Sequence, residues 1–230
     1  MSDVEEVFDQ ARGEGREYIT EPEVYRILRS IGVRVPEHAV ARNGEEAAEA
    51  AERIGFPVVM KLVSPQVVHK TDLGAVKLGI STREEAKEAF EEMVESASAK
   101  VEDLDVHGAL VSETLGGQEM IVGAMKDPQF GPMIMFGLGG IFTEVLQDVS
   151  YRLAPVEAVD VREMIDELKG KKLIHGYRGK KGVNQEALTD ALVSLSNLLA
   201  EHTEIREMDL NPIFGDENGV IVADARMFVE

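Results

Sequence analysis

Two lysines and a histidine stand at regular spacing within residues 56–80. Lys61 ends a short apolar run, His69 follows eight residues later, and Lys77 lies eight residues beyond His69. Lysine brings positive charge to phosphate oxygens, and a glycine such as Gly74 lets backbone N–H groups approach them closely. The stretch therefore indicates a loop that can hold a phosphate chain. A plain strand–loop–strand with solvated lysines fits the same residues, and the loop has neither a Walker A pattern nor GxGxxG.

His69 could also act chemically, because imidazole is a nitrogen nucleophile that can accept a phosphoryl group. Its position among residues expected near phosphate favours this role. The alternative is an ordinary surface histidine on a loop. His175, beside a Gly-Tyr-Arg sequence, has weaker support for the same role.

Three side chains near the end of the sequence carry hard oxygen atoms: Asp209, Asn211 and Asp224. Side chains two residues apart on a strand share a face, so Asp209 and Asn211 should do so. If the flanking strands pair through the GDENG turn, Asn211 and Asp224 lie opposite each other. Such oxygen ligands suit Mg²⁺ held jointly by protein and phosphate. An exposed turn rich in Asp and Asn is the alternative.

Glu113 and Glu119 are predicted near the ends of two adjacent strands, on either side of a Gly-Gly turn. Carboxylates there could accept hydrogen bonds from the hydroxyl or amino groups of a ligand. The pattern is weak by itself, because glutamates at strand ends are commonly just solvated.

The elements that position these groups follow from apolar periodicity and from capping residues. The prediction is two α+β lobes that meet near residue 110. The predicted helices are 3–12, 21–31, 44–54, 83–100, 157–168 and 185–201. The predicted strands are 33–40, the run ending at Lys61, the run carrying Lys77, and 108–115, 119–127, 132–138, 206–214 and 220–229.

Composition excludes several classes of partner. The chain has 230 residues, with 24 basic and 43 acidic side chains, giving a net charge of −19. Such a chain without a basic patch is a poor ligand for nucleic acid or an anionic membrane. The N-terminal sequence is acidic, unlike a secretory signal, and no cysteine is present. A cytoplasmic protein is therefore expected.

Three ordered motifs carry a family resemblance: GFPVVMKLVSP…HKTDLGAVKLGI, VSETLGGQEMIVGAMKDPQFGPMIMFGLGGIFTEVLQDVSYRLAPV, and EMDLNPIF…VIVADARMFV. The chain resembles the beta subunits of archaeal ADP-forming acetate–CoA ligases, within the succinyl-CoA synthetase superfamily. The resemblance implies an α+β ATP-grasp fold, with two lobes that clamp ATP or ADP. The expected lobes are 1–107, with the N-terminal helices, and 108–230, with the metal site.

The resemblance also implies roles for individual residues. His69 would carry or bind the phosphoryl group, and Asp209 would orient it. Mg²⁺ would be bound by Asn211 and Asp224. The nucleotide ligands would be Lys61, Lys77, Gly74, Glu113 and Glu119.

The implied reaction is acyl-CoA + ADP + phosphate ⇌ acid + ATP + CoA. Beta chains of succinyl-CoA synthetase continue well past the last metal-ligand strand, whereas this sequence ends six residues after Asp224. A separate alpha subunit is therefore expected to bind CoA and the acyl group, in an α2β2 assembly, and to bring its own phosphorylatable histidine. A self-contained carboxylate ligase and a non-catalytic nucleotide sensor are the alternatives. The sequence does not specify the acid.

Overall fold

A computed structural model describes residues 2–67, 70–140, 147–179 and 181–230. The chain forms two compact units. The larger unit comprises Met1–Val35 and Gly116–Glu230, and the smaller unit comprises Pro36–Leu115.

The larger unit is built on an antiparallel sheet, seven-stranded within the described residues. Its strand order is β1-β11-β9-β6-β7-β8, and β10 pairs with β9. The strands are β1 (Tyr18–Ile19), β6 (Gln118–Asp127), β7 (Gly131–Leu138), β8 (Val149–Leu153), β9 (Ile205–Asp216), β10 (Gly219–Val222) and β11 (Ala225–Val229).

The larger unit has five helices within the described residues. They are α1 (Asp3–Gly13), α2 (Glu21–Ser30), α5 (Ala158–Glu167), α6 (Lys172–His175) and α7 (Gln185–Glu201). A capping box is present at the start of α2: the Glu23 carboxylate accepts a hydrogen bond from the Thr20 N–H at 2.7 Å. Helices α5 and α7 contact strands of the large sheet and cover one of its faces.

The N-terminal helices pack onto the C-terminal strands, unlike the predicted division at residues 107 and 108. Tyr18 pairs with Phe228 in the sheet, and the buried Tyr25 hydroxyl donates to the Ala223 carbonyl at 2.8 Å. The Val222 N–H donates to the Arg34 carbonyl at 3.0 Å. Non-local strand pairing of this kind leaves no local pattern in the sequence, so the expected N-terminal lobe did not include it.

The smaller unit has a four-stranded sheet within the described residues, in the order β2-β5-β3-β4. Its elements are β2 (His38–Ala41), α3 (Gly44–Ile54), β3 (Val58–Val63), β4 (Val76–Ile80), α4 (Arg83–Ser98) and β5 (Gly108–Glu113). Met60, Val111, Phe90 and Met93 belong to its core, with small alanines of α3 that allow close packing. β5 lies here because it pairs with both β2 and β3.

Other predicted elements also differ from the observed ones. The strand expected at 220–229 is divided into β10 and β11, and β1 was not predicted. The strand expected at 33–40 starts only at His38, because the Arg34 carbonyl already bonds to the other end of the chain. Strand β8 and the short helix α6 were not predicted. In the described part of the chain no helix is long and apolar enough to cross a membrane.

Candidate functional site

Three of the predicted oxygen-bearing side chains lie together on the large sheet. Asp209 pairs with Arg226 across β9 and β11, and the Asn211 N–H donates to the Asp224 carbonyl at 3.1 Å. Asn211 and Asp224 are therefore opposite each other, as the hairpin pattern predicts. Residues two apart share a face, so Asp209, Asn211, Asp224 and Arg226 stand on one face. We call this the open face; it is the face opposite α5 and α7.

A β-bulge shapes the sheet at Asn211. On β6, Met120 pairs with Ile213 and Val122 pairs with Leu210, so two residues of β9 face the single residue Ile121. A bulge bends its strand and redirects the side chain. The strand therefore changes register at Asn211, one of the two predicted metal ligands.

We call Asp209, Asn211 and Asp224 the acid cluster. Its two carboxyl groups lie among both negative and positive charges. Burial raises the pKa of the Asp209 carboxyl above its usual value; the nearby charges of Asp224 and Glu207 add to the increase, and Arg226 opposes it. The Arg226 Nε lies 3.8 Å from an Asp224 carboxylate oxygen. That buried Nε has no hydrogen-bond acceptor among the described residues.

Arg226 is a site residue that our reading of the sequence missed. The available signal was its spacing, because it lies two residues after Asp224 on the same strand face. It supplies positive charge within a strongly acidic chain, directly beside two carboxylates.

The residues present fit a divalent cation that is shared with a ligand. Within the described ranges, no group of three or more His, Cys, Asp or Glu side chains could hold a metal alone. Asn211 is exposed, and the Asp224 side chain is 17% exposed. Mg²⁺ usually takes one or two protein oxygens and completes its shell with phosphate and water. The pair Asn211 and Asp224 fits that ligand set.

Lys61 and Lys77 do not point to the same side of the smaller sheet. Lys77 pairs with Met60, so it shares the Met60 face, where α4 packs, and its ammonium group contacts Glu92 on that helix. Lys61 alternates with Met60 and points to the opposite face, yet it is only 7% exposed. The two lysines therefore lie on opposite faces of the smaller sheet, and their predicted joint role in phosphate binding stays a prediction.

Lys70 is a second cation whose position was not anticipated. It lies at 4% exposure, and its carbonyl accepts a hydrogen bond from the Ala75 N–H at 2.8 Å. Lysines are rarely so buried, which makes Lys61 and Lys70 the unusual cations of the smaller unit. His69 lies outside the described residues.

We expect substitutions of Lys61 and Lys77 to have different effects on nucleotide affinity. Lys61→Met should weaken Mg·ADP binding about 10-fold or more, since a buried cation bonded to phosphate contributes about 1.5–3 kcal/mol. Lys77→Met removes an exposed ion pair, worth at most about 1 kcal/mol to stability, and should leave affinity within about twofold. Calorimetric titration of each variant measures this. Equal losses in the two variants would contradict the assignment.

Gly74 is required for packing. Its φ of +69° is one that other residues rarely adopt, and a Cβ there would come within 2.7 Å of the Ser96 hydroxyl on α4. Its N–H already donates to the Thr71 carbonyl at 3.1 Å. The observed contacts of Gly74 are therefore within its own unit.

Glu113 and Glu119 lie in different sheets, so they are not on the adjacent strands predicted. Glu113 accepts a hydrogen bond from the Glu37 N–H at 2.8 Å and so fixes the start of β2. Glu119 is exposed on the open face of the larger sheet, where Gly139 and Gly140 pack closely against it. Glu119 is the better placed of the two to meet a ligand.

Comparison with protein families identifies the family of the chain. Residues 10–229 match the model of an ATP-grasp domain. The chain is 48% identical over 225 residues to the acetate–CoA ligase (ADP-forming) I subunit beta of Pyrococcus furiosus, covering 97% of both. It is 45% identical over 202 residues to the acetate–CoA ligase (ADP-forming) I of Archaeoglobus fulgidus, but covers only 29% of that longer protein.

Solved structures show the same similarity. An acetyl-coenzyme A synthetase of Korarchaeum cryptofilum, in complex with coenzyme A, Ca-AMPCP and HgCl⁺, superposes with a TM-score of 0.93 at 42% identity, covering 98% of this chain and 99% of that one. The same protein is known with coenzyme A, Mg-AMPPCP and a phosphohistidine segment pointing towards the nucleotide binding site; there the TM-score is 0.84, at 40% identity and the same coverage. The family model, the relatives and the solved structures agree: the chain belongs to the ATP-grasp family of beta subunits of ADP-forming acetate–CoA ligases.

Proposed function

We propose that this chain performs the nucleotide half of acyl-CoA + ADP + phosphate ⇌ acid + ATP + CoA, by moving a phosphoryl group between a histidine and ADP. The observation that carries the proposal is the placement of Asp209, Asn211 and Asp224 on one sheet face. One hairpin would there supply the acid that orients the histidine and the two metal ligands.

Charge neutralisation is the first task of the site, because phosphoryl transfer depends mainly on positioning and on electrostatic stabilisation. Asn211 and Asp224 would hold Mg²⁺, which when bound supplies positive charge to the phosphate oxygens. Lys61 is proposed to contact the nucleotide phosphates, and Glu119 the ribose hydroxyls. Gly74, Glu113 and Lys77 are proposed to support the nucleotide site indirectly, by stabilising the smaller unit through the contacts described above.

Histidine orientation is the second task. We propose that Asp209 accepts a hydrogen bond from one ring nitrogen of the phosphohistidine, which leaves the other nitrogen to carry the phosphoryl group. In transfer to ADP, the N–P bond breaks, an oxygen of the ADP terminal phosphate forms the new P–O bond, and the freed nitrogen takes up a proton. Burial raises the pKa of Asp209, and the positive charge of Arg226 opposes that rise and so favours the ionised carboxylate.

The identity of that histidine defines two versions of the proposal. In one, His69 of this chain accepts the phosphoryl group before ADP does. In the other, His69 only binds phosphate, and all covalent chemistry occurs on a histidine of the alpha subunit, which we call the companion subunit. Both versions use Asp209 and the metal pair in the same way.

The companion is the alpha subunit, and we propose that it binds CoA and the acyl group within an α2β2 assembly in the cytoplasm. The net charge of −19 supports a reaction without nucleic acid or membrane as partner. The acid that is activated would be selected on the companion.

The experiment that tests the proposed function is ATP formation from acetyl-CoA, ADP and phosphate, measured for this chain alone and together with its copurified companion. We expect turnover only with the companion. Turnover by this chain alone would indicate a self-contained ligase. Nucleotide binding without turnover in either case would indicate a sensor.

Ligand binding by the isolated chain gives a further prediction. We expect calorimetry to detect Mg·ADP binding but no CoA binding, since the predicted nucleotide ligands are on this chain and the CoA site is assigned to the companion. The same titration without Mg²⁺ is the control and should show weaker ADP binding. Tight CoA binding to the isolated chain would contradict the proposal.

A further inference from the structure

The predicted metal ligand Asp224 lies in a two-residue connection between strands. It follows Ala223, and these two residues join β10 to β11. Two backbone hydrogen bonds tie the connection to β9: the Ala223 N–H donates to the Pro212 carbonyl at 2.9 Å, and the Asn211 N–H donates to the Asp224 carbonyl at 3.1 Å. The Ala223 carbonyl, which belongs to the peptide bond that leads into Asp224, is held by a different element.

That element is helix α2. The Tyr25 hydroxyl donates to the Ala223 carbonyl oxygen at 2.8 Å. The same hydroxyl lies 2.8 Å from a carboxylate oxygen of Glu21, which is one helical turn earlier on α2. The hydroxyl therefore bridges the first turn of α2 and the connection that carries Asp224.

This bridge is shielded from water. The Tyr25 side chain is fully buried, and Glu21 is 2% exposed. Burial, together with the nearby charges of Glu21 and Asp224, raises the pKa of the Tyr25 hydroxyl well above its usual value. The hydroxyl therefore keeps its proton at neutral pH and remains a hydrogen-bond donor. A buried carbonyl that lost this donor could not turn to water instead, so the contact is costly to break.

Helix α2 is itself fixed against the C-terminal strands. An Arg16 guanidinium nitrogen donates to the Glu23 carboxylate at 2.8 Å, beside the capping box that starts the helix. Val24 and Leu28 of α2 are fully buried, and β1, which directly precedes the helix, pairs with β11. A side chain locked by such packing can hold a neighbouring functional group in a precise position.

We propose that Tyr25 is a positioning residue for the metal site: its hydroxyl fixes the peptide bond before Asp224 and thereby directs the Asp224 carboxylate towards the cation. This inference rests on the proposed function, in which Asp224 is a metal ligand. Mg²⁺ requires near-ideal octahedral geometry, so a small displacement of one ligand weakens its binding. Residues that support a metal ligand typically contribute about 10–100-fold to metal affinity.

Metal affinity of the complete complex tests this proposal in the variant Tyr25→Phe, which removes only the hydroxyl group. Mn²⁺, which like Mg²⁺ suits oxygen ligands, is titrated into the ADP-saturated complex and followed by electron paramagnetic resonance. We expect Tyr25→Phe to weaken Mn²⁺ binding at least about 10-fold. The affinity for ADP without metal should stay within about twofold of wild type, because Tyr25 is not a proposed nucleotide ligand. Unchanged Mn²⁺ affinity would overturn the proposal.

Val24→Ala is the matched control for a loss of helix packing. Val24 adjoins Tyr25 on α2 and is fully buried, so its truncation leaves a cavity and lowers stability while the hydroxyl remains. We expect its Mn²⁺ affinity to stay within about twofold of wild type. Equal losses of Mn²⁺ affinity in Val24→Ala and Tyr25→Phe would assign the effect to helix packing in general and overturn the role of the hydroxyl.

Glu21→Gln separates the hydroxyl from the charge beside it. Glutamine keeps an oxygen that can accept from Tyr25 but removes the negative charge. We expect Mn²⁺ affinity within about twofold of wild type. A loss as large as that in Tyr25→Phe would assign the effect to the carboxylate charge near Asp224 and contradict the assignment to Tyr25.

The magnesium dependence of ATP formation provides a second readout. Tyr25→Phe should raise the Mg²⁺ concentration for half-maximal rate about 10-fold. Saturating Mg²⁺ should restore the rate to within about threefold of wild type, because a displaced ligand still binds at high metal concentration. A lower rate at every Mg²⁺ concentration, with unchanged half-saturation, would indicate a general structural defect and overturn the positioning role.

The same Mn²⁺ titration of Asp224→Asn distinguishes the two levels of the account. Unchanged affinity in Asp224→Asn would remove Asp224 from the metal site, and the proposed metal site and the positioning role would both fail. Weakened affinity in Asp224→Asn with unchanged affinity in Tyr25→Phe would overturn the positioning role alone. We expect both variants to bind Mn²⁺ more weakly than wild type.

Discussion

Asparagine in place of Asp224 is expected to lower Mg²⁺-dependent ATP formation by at least about 100-fold, since even residues that only support a metal ligand typically contribute 10–100-fold. Asparagine keeps the shape of the side chain and removes the charge that a hard cation prefers. The free energy of unfolding should change by no more than about 1 kcal/mol, because the side chain is partly exposed beside a hairpin. Magnesium titrations of initial rate, with denaturant unfolding, measure both effects.

The matched control for this variant is Glu217→Gln. Glu217 is an exposed carboxylate in the turn of the same hairpin and contacts Lys181 at 3.2 Å. It should retain wild-type activity and magnesium dependence. A well-folded Asp224→Asn protein with an unchanged magnesium dependence would remove Asp224 from the metal site.

Loss of His69 should have an equally large effect if this residue accepts the phosphoryl group. We then expect His69→Ala to abolish both turnover and acid-labile label on this chain, while acyl-phosphate formation on the companion continues. The reason is that alanine offers no nitrogen to carry the group. The measurement is labelling of the complete complex with γ-labelled ATP and Mg²⁺, followed by separation of the two chains.

His69→Asn separates the two versions of the mechanism. Asparagine retains hydrogen-bonding capacity but cannot carry a phosphoryl group stably, so it should be as inactive as alanine if the histidine is covalently modified. A fully active asparagine variant would restrict His69 to binding phosphate and leave the covalent chemistry to the companion.

The acid cluster was predictable because it depends on short-range rules. Asp209 and Asn211 share a face through the two-residue period of a strand, and the GDENG turn brings Asp224 opposite Asn211. The position of Arg226 on the same face of this chain follows from the same two-residue period. It was missed because our reading considered only metal ligands in that motif.

The lysine pair was not predictable in the same way. Lys77 shares the Met60 face only because the register between β3 and β4 shifts after Val58. A shift of one residue moves a side chain to the other face, and such irregularities leave no local pattern. The pairing of β1 with β11 joins residues about 210 positions apart, and it too depends on tertiary structure.

We propose that a phosphohistidine and Mg·ADP exchange a phosphoryl group at the cluster of Asp209, Asn211 and Asp224. The most direct test is rapid-quench analysis of the complete complex, labelled beforehand on histidine and then mixed with ADP and Mg²⁺. We predict that label disappears from histidine as fast as labelled ATP appears, and that Asp224→Asn leaves the label on histidine. ATP formation at the wild-type rate while the histidine label persists would contradict the account.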